Sequence, residues 1–191
     1  MPRDDLPILE FPDRTAWHTW LESMHDASPG VWIKIAKKAS GIPTVTHAEA
    51  LEDALCYGWI DGQRAPHDDT HFLQRFTPRR PRSKWSEINR DKAITLIENG
   101  RMKPAGLAQI EAAKADGRWE AAYAPQSSQA IPDDFQRALD ENPAANEFFK
   151  TLTGVRRFAF LYRIGDAKRP ETRARRIREY VAMLAEGRTL R

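Results

Sequence analysis

The sequence predicts an α+β protein: a small antiparallel sheet with packed helices, then a helical hairpin, then an α-helical C-terminal subdomain. Three observations predict it. Residues 32–37 alternate apolar and polar side chains in the rhythm of a half-buried strand. Helix-start signals recur at intervals along the chain, and after Pro81 the strand rhythm gives way to helical spacing. The 191 residues, 41% hydrophobic and 30% charged, supply enough apolar material for one cored domain, or one with an appendage.

The elements follow in order. Asp13 is placed to cap a helix with Trp17, Trp20, Leu21 and Met24 on one face, stopped by Ser28-Pro29-Gly30. The strand at 31–37 comes next, broken by Gly41-Ile42-Pro43. Thr46 and Glu49 have capping-box spacing, in which hydroxyl and carboxylate satisfy helix-start amides reciprocally. The helix they open turns Ala48, Leu51, Leu55 and Trp59 inward, with Gly58 suited to a C-cap or sharp bend. Residues 60–63 and 70–76 read as strands joined by the polar hairpin 65–69. Ser83 is placed to cap a helix carrying Trp85, Ile88, Ala93, Leu96 and Ile97, ending at Asn99-Gly100. Another runs from Pro104, which suits a first helical turn, to Asp116-Gly117. Segment 119–131 lacks an apolar period and reads as a linker. Helices at 132–142, 144–152 and 170–185 complete the chain, with 155–164 helical or extended. The expected domains are 1–118 and a basic helical subdomain at 132–191, joined by that linker.

Charge narrows the function classes. The chain carries 30 Lys+Arg against 27 Asp+Glu, a net +3 too small to predict nucleic-acid binding. Residues 155–191 hold eleven bases against four acids, a local +7, which leaves the remainder at −4. A second basic knot spans 79–84. Such stripes attract phosphates, acidic proteins or anionic headgroups; a solvated arginine helix paired with its own acids is the plain alternative. No window approaches the roughly 18 apolar residues of a membrane span, and the N-terminus has no signal-peptide core, so a soluble, cytoplasmic protein is expected. One cysteine forms no internal disulfide. No P-loop, dinucleotide fingerprint or nucleophile triad appears, so no cofactor is expected and the reading leans away from an enzyme.

The leading candidate site is Tyr57, Trp59, Asp61 and Gly62, where two glycines bracket aromatic and acidic residues at a helix-to-strand junction. Arg79, Arg80, Arg82 and Trp85 add guanidinium forks and an aromatic wall held extended by prolines. Together they describe a polar pocket for a small anionic ligand or a protein partner. The bland alternative is aromatic core, turn glycines and paired arginines. Cys56, at an apolar helix end with no adjacent histidine, reads as a buried small hydrophobe. His67, Asp69 and His71 share one face at strand spacing and form a candidate metal set, against a solvated turn. The helix pair 85–98 and 104–114 has helix-turn-helix length, but its second helix starts without base-reading side chains, so a plain helical hairpin is expected. Arg169, Arg173, Arg176 and Tyr180 form a stripe on the last helix, a candidate partner surface whose nucleic-acid reading is the alternative function.

Several stretches resemble the bacterial YdeI/OmpD-associated, or bacteriocin-protection, family. They are residues 30–38, the run 49–62 containing Cys-Tyr-Gly-Trp-Ile-Asp-Gly, the run 74–86 containing Phe-Thr-Pro-Arg-Arg, and 167–177. The resemblance implies bacterial origin and a link to envelope stress or bacteriocin tolerance, with no catalytic residues to carry over. A looser similarity of the N-terminal unit to YdhG-like proteins implies a frataxin-like α/β sandwich.

Overall fold

A computed structural model of the chain describes residues 6–125 and 130–190. They form two compact units, Met1–Tyr123 and Ala124–Arg191.

The first unit is built on a four-stranded sheet. Strand β1 (Ile8–Glu10) runs parallel to β2 (Val31–Ala36); β2 pairs antiparallel with β4 (His71–Pro78), and β4 with β3 (Trp59–Pro66), in the order β1-β2-β4-β3. The sheet is therefore mixed, where a purely antiparallel one was expected. The unexpected strand has only three residues, too few to display a period. In register, Ile33 faces Gln74 and Ile35 faces Phe72, so Val31, Ile33, Ile35, Phe72 and Phe76 share one face and enter the core.

Helices α1 (Arg14–Met24) and α2 (His47–Cys56) cover that face. Asp13 accepts from Ala16 N at 2.9 Å, and Trp17 and Leu21, one turn apart, are fully buried. Thr46 and Glu49 close the expected capping box. Helices α3 (Glu87–Glu98) and α4 (Pro104–Ala115) form a hairpin against α2. The cap of α3 is Ser86, which accepts from Asn89 N at 3.2 Å, rather than Ser83, whose hydroxyl accepts from Arg80 N in the preceding turn. The later start rotates the helix: Ala93 and Leu96 are buried, whereas Ile88, expected inside, is 49% exposed. Trp85 is buried ahead of the helix, T-shaped against Trp119, and Tyr123 N donates to Trp85 O. Residues 119–123 of the expected linker thus pack within the first unit, and residues 126–129 of it lie outside the described residues.

Two glycines let α4 approach the end of α2. Gly58 has φ +73°, and a Cβ there would stand 2.8 Å from Ala105 O. A Cβ on Gly106 would meet Cys56 O and stand 2.8 Å from Leu55 O. Only the bare backbone fits, and Lys103 N donates across the junction to Cys56 O at 3.2 Å.

The second unit is all helical: α5 (Asp133–Asp140), α6 (Pro143–Thr151), α7 (Gly154–Gly165) and α8 (Pro170–Ala185). Its core is a chain of edge-on rings, Phe135 to Phe149 to Phe160 to Tyr180, closed by Leu139, Ile164 and Leu184. Tyr180, expected in the arginine stripe, is buried. Among the described residues, no helix is long and apolar enough to cross a membrane.

Candidate functional site

A carboxylate on the buried side of α2 organises the site. Asp53 is 1% exposed, and an ion taken that far from water needs charged partners. Arg14, the first residue of α1, supplies a fork: Nη2 donates to Asp53 Oδ1 at 2.8 Å and Nε to Oδ2 at 3.1 Å. Arg101, in the turn between α3 and α4, donates Nη2 to the same Oδ1 at 2.7 Å. Both guanidiniums also reach Glu52 Oε2, at 3.0 and 3.1 Å. Burial pushes the Asp53 carboxyl above its ordinary range, against the opposing pull of Arg14 and then His18.

Beside this network lies a cavity of about 510 Å³, lined by Arg14, His18, Asp53, Cys56, Arg101 and Lys103 among others. Lys103 makes no ion pair among the described residues; its ammonium stands 5.9 Å from the Tyr57 ring. Arg14 Nη1 and Arg101 Nε likewise make no hydrogen bond among them, so donors remain on the cavity wall. His18 places Nδ1 3.9 Å from Asp53 Oδ2 and Nε2 3.3 Å from the Tyr57 hydroxyl. The Cys56 thiol is pushed up to about 11 by burial and then by Asp53, which favours its protonated form at neutral pH. The arrangement suits holding an anion: three permanent cations face a space containing one carboxylate already engaged.

The candidate site residues singled out in the sequence are not among those named on this cavity's wall, although Tyr57 adjoins it through His18 and Lys103. Tyr57 and Trp59 are core, Trp59 Nε1 donating to His25 O at 2.9 Å and its ring meeting Trp20 edge-on. Asp61 lies 3.1 Å from His47 Nε2, and Gly62 O accepts from the buried Gln74 side chain at 3.0 Å. Arg79 and Trp85 are brought together, the guanidinium 3.5 Å from the ring centroid, but both are buried. Arg79 Nη1 donates to Lys84 O, and burial lowers its pKa to about 10. Arg79 N donates to Gly58 O, so the two expected segments adjoin, joined by packing. Arg80 and Arg82 are exposed.

In the hairpin, Asp68 accepts from Thr70 Oγ1 at 2.8 Å, and also from Thr70 N at 2.8 Å and His71 N at 2.7 Å; the hydroxyl bond first, and then the two amides, hold its carboxyl far below the ordinary range. The segment is an Asx-type turn. Among the described residues, no three His, Cys, Asp or Glu side chains gather as metal ligands would, so His67, Asp69 and His71 are not such a set.

In the second unit Arg173 is engaged internally. Nε and Nη2 fork onto Asp134 at 2.6 and 2.8 Å, and Nη1 donates to Ile164 O at 3.0 Å. Arg176 donates to the neighbouring carbonyl of Arg163. Two arginines thus cap the carbonyl end of α7, which withdraws them from a phosphate-tracking surface. Arg169 is exposed at the start of α8.

Residues 9–109 match the model of a family described as a domain of unknown function (DUF8412). Residues 129–187 match the model described as Bacteriocin-protection, YdeI or OmpD-Associated. The motifs at 30–38, 49–62 and 74–86 that suggested the latter fall within the former match; the tail motif at 167–177 falls in the latter. No curated protein and no solved structure matches the chain, and the frataxin-like similarity finds no support.

Proposed function

Because the chain belongs to the family described as a domain of unknown function, DUF8412, we propose its function from the chemistry of its own site. It is a non-catalytic binding protein of the bacteriocin-protection type, holding a small anionic ligand in the cavity walled by Arg14, Arg101 and Lys103. The match at 129–187 points to that type of role. The binding reading rests on one observation: buried Asp53 fixes two cavity-lining guanidiniums, and Arg14 Nη1 and Arg101 Nε make no hydrogen bond among the described residues. Fixed cations lose little freedom when an anion arrives, so their attraction is not offset by ordering them.

Calorimetric titration of the full chain with inorganic phosphate and with succinate tests this. Both anions are expected to bind saturably. Lys103→Ala, which leaves the Asp53 network intact, is expected to weaken them about tenfold, the loss of one charge-assisted bond. Absence of binding, or equal affinity in the variant, overturns the reading.

A further inference from the structure

We propose a second ligand site, at the opposite end of α2 from Asp53, for a monocarboxylate with an apolar tail. A groove of about 550 Å³ lies where the 37–46 loop passes the ends of β2, β3 and β4. Its floor is apolar. Ile35 and Phe72 form the base, and Ile42 stands 39% exposed at the side. Gly41 has φ +68° with open space where a Cβ would lie, so the mouth is unobstructed there. Thr44 Oγ1 accepts from Ala36 N at 3.0 Å and ties the loop down.

Beside the polar Thr44, Thr46 and His47, its lysines and arginine, Lys37, Lys38 and Arg64, are cationic. The Arg64 guanidinium lies 3.6 Å over the Phe72 ring, and the side chain makes no hydrogen bond or ion pair among the described residues. Stacking uses the guanidinium face and leaves its N–H edge available. Lys38 has no ion pair among the described residues, and Lys37 is held by the carbonyls of Asp68 and Asp69 at 2.8 and 3.1 Å. The lining contains no carboxylate. The adjoining acids already have partners: Asp61 lies against the groove's own His47 and Glu49 against its Thr46, while Asp68 is held by Thr70 and His71, and none of them reaches Arg64 or Lys38 among the described residues. The first-turn amide of Glu49 is already capped by Thr46, so side chains do the recognising. An unpaired positive rim over an apolar floor selects a ligand with both an anionic head and a hydrocarbon body. The head meets Arg64 and Lys38; the tail lies on Phe72 and Ile42. This site stands independently of the Asp53 cavity.

Calorimetry on the full chain with octanoate tests it, alongside acetate, neutral octanamide, and phosphatidylglycerol vesicles. Octanoate is expected to bind saturably, with acetate and octanamide each weaker by about tenfold or more. Arg64→Ala, a surface change, is expected to weaken octanoate about tenfold, while Lys103→Ala leaves it unchanged. A circular-dichroism melt verifies that Arg64→Ala folds, and Lys38→Ala gives a second reading of the same rim. Four results overturn the proposal: no octanoate binding, octanamide binding as tightly, affinity unchanged in both rim variants, or capture by vesicles without binding of free octanoate.

Discussion

Two aspartates among the described residues, one in each unit, take an arginine through the same Nε–Nη2 fork, in two settings. In the first unit Asp53 keeps only 2% of its side chain exposed and is shared by Arg14 and Arg101; in the second, Asp134 keeps 37% exposed and takes Arg173 as its one arginine. Their titrations diverge accordingly. Desolvation outweighs the arginines at Asp53 and raises its carboxyl, whereas the Arg173 bonds outweigh a small burial at Asp134 and lower it. The geometry of a salt bridge therefore does not fix its energetic sign; the water it excludes does. A sealed carboxylate is also a poor choice for stability alone, which is why the cavity beside it attracts a functional reading.

The largest expected effect comes from unsealing the network. Arg14→Met leaves a buried carboxylate with one guanidinium and is expected to cost about 3–5 kcal/mol. Arg173→Met breaks a half-exposed pair and is expected to cost about 1 kcal/mol. All six tryptophans lie in the first unit, so their fluorescence during urea unfolding reads that unit alone. The second unit, which has no tryptophan, is read by circular dichroism, and equal losses in the two variants would show that burial is not what separates the pairs. Next in size is Gly106→Ala, expected to cost about 1–3 kcal/mol, because its methyl meets the carbonyls of Leu55 and Cys56. It would shift the start of α4, and with it the adjoining turn that carries Arg101, without removing a charge. Weakened phosphate binding at unchanged charge would sharpen the case that the network acts by positioning.

Local chemistry was legible in the sequence and long-range chemistry was not. The Asp13 cap and the Thr46–Glu49 box act across three residues, so their spacing reveals them. Helix α8 begins at Pro170 and ends at Ala185, as expected, because proline and glycine punctuate it. Asp53 gave no such signal: its partners lie 39 and 48 residues away, and an acid beside Glu52 on a charged helix looks solvated. Leu51, Ala54 and Leu55 mark the buried side, and Asp53 sits between them, which is the one hint the pattern held. The Cys56–Gly62 run reads two ways for a related reason. Its composition reflects close packing, since Gly58 admits Ala105 and Trp59 fills the core, and packing and binding call for the same residues. The His67–His71 hairpin looked like ligands because the one-residue choice of Asp68 as turn-former is silent in spacing.

The smallest effects are pH-dependent, and they carry opposite signs. At Asp134 the folded carboxyl is lowered, so the folded state releases its proton more readily. Stability from this pair is present above about pH 4 and is lost as pH falls through the lowered value. At Asp53 the folded carboxyl is raised, so in the window just above about pH 4 the folded state binds more protons than the unfolded. Stability from this group is then lost as pH rises through the raised value. Glu49 and Asp68 in the first unit are lowered and oppose this trend, so the comparison must be against variants. The stability of the wild type minus that of Asp53→Asn, read by tryptophan fluorescence, is expected to decline with rising pH across that window. The corresponding difference for Asp134→Asn, read by circular dichroism, is expected to decline with falling pH. Slopes of the same sign would mean that water reaches Asp53 after all. The sealed carboxylate, and with it the reason for fixing two arginines at the cavity wall, would then lose its physical basis.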